Sequence, residues 1–197
     1  MRTFILRARK GSTQPDKIRQ QVGGKHHFEV ILHSVMNAFF VASSFREDVE
    51  VYIVLDSSLD FPKTIYLQSA RGLSIAGFHE QAILSLIEHA LLKSKKISQG
   101  AMINIAPGVD VLGYGFEKLV AMLMTERTLY ILEPKGEDIR NVAFPEDPVF
   151  ILSDHLAMPK KTLLGLKRRG LKSLSLGKKM LFASQCIVLL HHEIDLQ

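Results

Sequence analysis

The chain holds a single cysteine, Cys186, and so can form no disulfide within itself, as fits a reducing compartment. No stretch approaches the ~20 apolar residues of a membrane span. The opening run Met1-Arg2-Thr3-Phe4-Ile5-Leu6-Arg7 is too short in apolar residues for a secretion signal. A cytoplasmic protein without a membrane partner is expected. Low-complexity tracts and internal repeats are absent as well, which confines any disorder to short segments.

Several chemistries are excluded by missing motifs. There is no Walker loop, no Gly-x-Ser-x-Gly elbow, and neither Cys-x-x-Cys nor His-Glu-x-x-His spacing. The pairs His26-His27 and His191-His192, the second beside Glu193, read as solvated or capping histidines, and no metal is expected. Gly113-Tyr114-Gly115 begins like a dinucleotide fingerprint and then fails, because position 118 is lysine and no first βαβ unit precedes it. Ser153-Asp154-His155 has the residue types of a hydrolytic triad, but neighbours on an extended segment point to opposite faces and cannot relay a proton.

What is present suits one well-cored domain spanning 1–197, with 47% hydrophobic and 23% charged residues. Lys+Arg 25 against Asp+Glu 20 gives a net charge of +5 and a pI near 9.3, which permits an anionic partner. The distribution says more. Between Pro159 and Lys179 lie Lys160, Lys161, Lys167, Arg168, Arg169, Lys172, Lys178 and Lys179, with no acidic residue among them. Such a segment is either a solvated face or a phosphate-binding one.

Alternating and periodic apolar residues predict strand Thr3 to Ala8, a polar loop or flap over Lys10 to Lys25, and a helix over His27 to Ala42. Strands Val49 to Leu55 and Thr64 to Leu67, a helix Gly77 to Leu92, and a strand-turn-strand over 102–112 around Pro107-Gly108 follow. Helix Phe116 to Met124, strands Thr128 to Leu132 and Val149 to Leu152, helix Lys160 to Arg169, strand Leu174 to Leu176 and a helix from Lys179 close the chain. This order predicts an α/β fold, a mainly parallel sheet with helices on both faces. Ligands then belong at the carboxyl ends of the strands, in the loops after Leu132, Leu152 and Leu176. Asp154, at one such end, either acts as a base or caps a turn. Glu29, His33 and Asn37 form a polar line on an otherwise apolar helix and face either water or a site. Cys186, inside the last helix, reads as a small buried hydrophobe.

The stretches "VFILSDHLAMPK" (149–160) and "LSLGKKMLFASQCIVLLHHEID" (174–195) resemble the closing motifs of the SPOUT class of RNA methyltransferases. Within that class the resemblance is to the tRNA pseudouridine-54 N1-methyltransferases, and it extends through "MRTFILRA", "NAFFVA", "REDVEVYIV" and "ERTLYILEPKGEDI". It implies a carboxy-terminal trefoil knot whose loops bind S-adenosylmethionine, a homodimer built partly on the last helix, and an RNA substrate, tRNA foremost. Residues 60–112 would be a family-specific extension. By position, Leu132, Leu152, Ser153, Leu174, Leu176, Gly177, Leu181 and Cys186 would line the cofactor pocket. Asp154 or Glu29 would act as base, with Asn37 orienting the target's edge. Arg46, Lys160, Lys161, Lys167, Arg168 and Arg169 would contact phosphates. A non-catalytic RNA-binding protein on the same scaffold is the alternative.

Overall fold

A computed structural model of the chain describes residues 1–42, 44–58 and 61–197. The elements are β1 (Arg2–Ser12), α1 (Pro15–Arg19), α2 (Glu29–Phe39), β2 (Phe40–Val41), β3 (Ser44–Phe45), β4 (Val49–Ser57), β5 (Lys63–Gln68) and α3 (Glu80–Lys93). After them come β6 (Met102–Ala106), β7 (Val109–Leu112), α4 (Phe116–Leu123), β8 (Leu129–Asp138), β9 (Val149–Ser153), α5 (Lys160–Arg168), β10 (Lys172–Ser175) and α6 (Ala183–Asp195).

Eight strands form one sheet in the order β10-β8-β9-β1-β4-β5-β7-β6. The first five run parallel, and β5, β7 and β6 add antiparallel pairings at one side. The mostly parallel α/β sheet read from the sequence is therefore observed. Its central strands are buried on both faces, as parallel strands covered by helices must be. On β1, Phe4, Leu6 and Ala8 point into one core with Ile18, Ile31, Ile83 and Ile187 of α1, α2, α3 and α6. Ile5 points into the other, with Phe116 and Leu119 of α4 and Leu166 of α5. Ile187 and Leu190 of α6 are fully buried, and each such side chain contributes about 1.5–3 kcal/mol to holding the helix in place.

Several boundaries differ from the sequence reading, among them the helix read over His27 to Ala42, which ends at Phe39 where Phe40–Val41 form β2, and the strand read over Leu174 to Leu176, which is Lys172–Ser175. Lys10 to Lys25 is no mobile flap: β1 continues to Ser12, and Pro15 opens the short α1, whose Ile18 is completely buried. Gln21 ties this segment down, accepting from the Ser12 amide at 3.0 Å and donating to the Lys10 carbonyl at 2.8 Å. The last helix begins at Ala183 rather than Lys179, its entry fixed by the Phe182 amide donating to Gln185 Oε1 at 3.0 Å. Finally, β8 reaches Asp138 in two stages. Tyr130 and Ile131 pair with Lys172 and Ser173, Glu137 and Asp138 with Leu174 and Ser175, and residues 132–136 loop out between them. The expected extension starts at position 60, outside the described residues. Residues Lys63 to Leu112 form β5, α3, β6 and β7.

Candidate functional site

Beside residues 131–134 of β8 and at the carboxyl ends of β9 and β10 lies a cavity of about 590 Å³, within the size range of small-molecule sites. Leu132, Leu152, Ser153, Leu176, Gly177, Leu181 and Cys186 all line it. Leu174 is buried in the core and does not. The walls are formed by the 132–134 loop, by the segment after β9, by the extended stretch between β10 and α6, and by the first turn of α6.

Local chemistry explains why the chain loops here. Residues 132–136 have no paired residue in the register of β8 with β9 or β10 among the described residues, and the Pro134 carbonyl accepts from Ser175 Oγ at 3.3 Å. Gly136 closes the loop against β10 so tightly that a Cβ would lie 2.4 Å from the carbonyl carbon of Leu174 and 2.6 Å from its nitrogen. Gly177 takes φ +106, a conformation that side chains resist, with open space where a Cβ would stand. Glu133 anchors the loop: its Oε2 accepts from Ser173 Oγ at 2.6 Å and pairs with Lys167 Nζ at 2.5 Å. Burial pushes the Glu133 carboxyl up, but the bonds from Lys167 and Ser173 outweigh it and leave the group below the usual carboxylate range.

The wall after β9 is held by β1. Asp154 Oδ2 accepts the Arg9 amide at 3.0 Å and Oδ1 the Leu156 amide at 2.8 Å. The Arg9 guanidinium donates to the Ala157 carbonyl at 3.1 Å, and Arg7 Nη1 meets Met158 Sδ at 3.2 Å. Asp154 is thus both a turn cap and a cavity-lining, half-buried carboxylate. Each oxygen takes one amide, which leaves acceptor capacity on both.

Glu29 and Asn37 lie elsewhere on α2. The cavity is lined by Val30, not by Glu29, whose carboxylate accepts the Gly23 amide at 3.0 Å and sits 3.1 Å from His27 Nδ1. Burial raises the Glu29 carboxyl, while backbone amides and His27 bring it below its ordinary value. The His27 ring in turn meets the cavity-lining His155 edge to face at 5.0 Å. Asn37 donates to the His33 carbonyl at 2.9 Å and lines a second, smaller cavity of about 240 Å³ with Arg46, His191 and Asp195. Within one chain, then, Asp154 and Asn37 do not share a cavity.

Cys186 is buried on the main cavity's wall, and desolvation pushes its thiol up to about 11, the opposite of nucleophile activation. Lys160, Lys161, Lys167, Arg168 and Arg169 are exposed on and just after α5. Arg46 belongs to a different group: Nη1 and Nη2 donate to Asp195 at 3.1 and 2.6 Å, and Arg2 reaches the same carboxylate at 2.6 Å. Phe39 is fully buried and stacks on Phe45. Among the described residues no three His, Cys, Asp or Glu side chains come together as a metal site, and no helix is long and apolar enough to cross a membrane.

Sequence reasoning located the loop that holds Glu133 and Gly136 but gave neither a role, and it missed Val30 and Met158. Only Gly136 left a signal, a glycine closing the loop after a strand.

The cavity fits an adenosyl cofactor. It offers leucine walls for an apolar ring, a wall of residues 132–134 at the register shift of β8, and a glycine at 177 where a ligand can approach the backbone closely. Comparison with known proteins gives the same direction. A family model described as "Putative SAM-dependent RNA methyltransferase" matches residues 1–197. A protein of Vibrio vulnificus (strain CMCP6) named "Putative pseudouridine methyltransferase" is 45% identical over 197 residues, covering 100% of both chains. One of the same name from Alcanivorax borkumensis is 46% identical over 197 residues, covering 100% of this chain and 98% of that one. Among solved structures, Archaeoglobus fulgidus Nep1 bound to S-adenosylhomocysteine superposes with a TM-score of 0.62 at 14% identity, covering 98% of this chain and 96% of that one. At that identity the likeness speaks for the fold.

Proposed function

The chain belongs to the family of S-adenosylmethionine-dependent RNA methyltransferases whose model spans it from end to end, and on that premise we propose that it methylates a ring nitrogen of pseudouridine in tRNA. The observation that carries this reading is the cavity beside residues 131–134 of β8 and at the ends of β9 and β10, with its leucine walls. The nucleoside follows the names of the relatives in Vibrio vulnificus and Alcanivorax borkumensis. The cofactor follows the family and the S-adenosylhomocysteine of the Nep1 structure.

Leu132, Leu152, Leu176 and Leu181 would flank the adenine, and the backbone at 132–134 and Gly177 would meet its polar atoms and the ribose. When bound, S-adenosylmethionine supplies a methyl group on a positively charged sulfur. Asp154 then has the proton to remove. The ring nitrogen would lose a proton as it takes the methyl group from sulfur, whose bond to that carbon breaks, and the Asp154 carboxylate, at the cavity wall with unused lone pairs, would accept the proton. The Arg7 and Arg9 contacts hold the wall that carries Asp154 to β1 and would keep that carboxylate in place.

The basic segment around α5 would contact tRNA phosphates, with Lys167 shared with Glu133. The loop 132–136, across whose mouth β10 runs, suits the trefoil knot, with α6 threaded last. Val188 and Leu189 on α6, and Met180 and Phe182 before it, are exposed apolar residues that suit a homodimer face. The whole works as a single cytoplasmic domain. Transfer of labelled methyl groups to two tRNA transcripts, one pretreated with a pseudouridine synthase and one not, tests the reading. Label in the first alone is the expected result. Label in neither, with cofactor binding absent from a titration, would leave a non-catalytic RNA-binding scaffold.

A further inference from the structure

The extension at the antiparallel side of the sheet carries a second basic surface, on the same edge as the cavity. Strand directions fix that placement. β4 is parallel to β1 and β9, so its carboxyl end lies on the cavity's edge, where β5 starts at Lys63 and β7 finishes at Leu112. Loop 94–101 is fastened to that edge. Lys63 Nζ donates to the Ser94 carbonyl at 3.2 Å, and Gly100 and Gly113 bind through Gly100 N to Gly113 O at 2.8 Å. The Gly113 amide returns a bond to the Ala101 carbonyl at 2.8 Å. Lys93, Lys95 and Lys96 lead into this loop, all exposed. Lys118, at the start of α4, adds a fourth: a Cβ on Gly100 would lie 3.5 Å from its ammonium group, which also stands 4.9 Å over the Tyr114 ring.

Charge is one-sided here. No acidic residue occurs from position 89 to 109. Among the described residues none of these four lysines has a carboxylate partner, while the nearby Glu117 and Asp56 carboxylates are both turned to Arg7. In the sheet order β5 and β7 lie three and four strands from β9, which at ~4.8 Å per strand sets the patch about 15–20 Å from the cavity. A target nucleotide cannot span that gap. A folded RNA can.

We propose that Lys93, Lys95, Lys96 and Lys118 form a second RNA-docking surface that grips backbone phosphates remote from the methylated nucleotide, so that the enzyme selects a folded RNA over an isolated stem-loop. This rests on the methyltransferase reading above. The test compares the protein with its K93Q/K95Q/K96Q/K118Q variant on full-length tRNA and on a pseudouridine-containing stem-loop of the same sequence, measuring binding against salt and initial methylation rates. The variant is expected to bind full-length tRNA about tenfold more weakly, with a salt slope shallower by about three, since each lost phosphate contact removes close to one released counterion. Its stem-loop kinetics, S-adenosylmethionine affinity and melting temperature should be unchanged, and the corresponding lysine-to-arginine variant should behave as the parent. Unaltered tRNA affinity, or an equal loss on both RNAs, overturns the patch alone. A parent protein that binds neither RNA overturns the methyltransferase reading and the patch with it.

Discussion

Acidification should loosen the last helix through one histidine. His191, on α6, is 3% exposed and packs edge to face on Phe4 of β1. Its Nε2 lies 3.1 Å from the Ala38 carbonyl, which can only accept, so the proton sits on Nε2, and Nδ1 accepts from Arg2 Nη1 at 3.1 Å. A second proton would have to enter at Nδ1, facing a guanidinium. Burial first, then the charges of Arg46 and Arg2, bring His191 down from 6.5 to about 4, against the opposing pull of Ala38 and Asp195. The folded protein therefore binds fewer protons than the unfolded chain between those two values. The His191 contribution to stability is complete above about pH 6.5, falls as the pH drops, and is fully lost below about 4, a total of about 3 kcal/mol. Between pH 7 and pH 5 the loss is about 2 kcal/mol, or about 4–8 °C in Tm for a chain of this size. Urea denaturation at stepped pH reads it directly. His191→Gln can keep an N–H toward Ala38 but cannot titrate, so its stability, whatever its absolute value, should lose at least 1 kcal/mol less over the same interval. A variant with the parent's slope would refute the assignment.

Three further outcomes follow from the cavity. Gly136→Ala forces a methyl group into the backbone of Leu174. It should cost about 1–3 kcal/mol and weaken S-adenosylmethionine binding in calorimetry, whereas an unchanged protein would mean that the loop yields freely. Cys186, with its thiol raised to about 11, should resist iodoacetamide at pH 8 in the native protein and react at once in urea; rapid native alkylation would contradict its burial on the cavity wall. Asp154→Asn should lower methyl transfer by about 10²–10⁴-fold with cofactor affinity within a few-fold of the parent, and transfer at the parental rate would remove Asp154 as the base.

The sheet was readable because its strands are dense in β-branched and aromatic residues: Val49 to Leu55 and Val149 to Leu152 have no rival reading. The helix α1 was not, since a helix of five residues with only Pro15 and Ile18 buried shows no period. Leu181 and Phe182 look like the start of a helix, yet they belong to the extended wall of the cavity, where packing overrides propensity. In the site, strand-end logic located the loops, while the individual wall residues came through resemblance. Helical spacing correctly put Glu29, His33 and Asn37 on one line, but a line on a helix does not say which cavity each residue reaches. Arg46 likewise gave no hint that its partner, Asp195, lies 149 residues away.

The most direct test of the account is nucleoside mass spectrometry of tRNA from cells with and without this gene. It predicts that one methylated pseudouridine disappears on deletion and returns when the gene, but not its Asp154→Asn form, is restored. An unchanged nucleoside profile, with the purified protein also failing to methylate pseudouridine-containing tRNA, would contradict it.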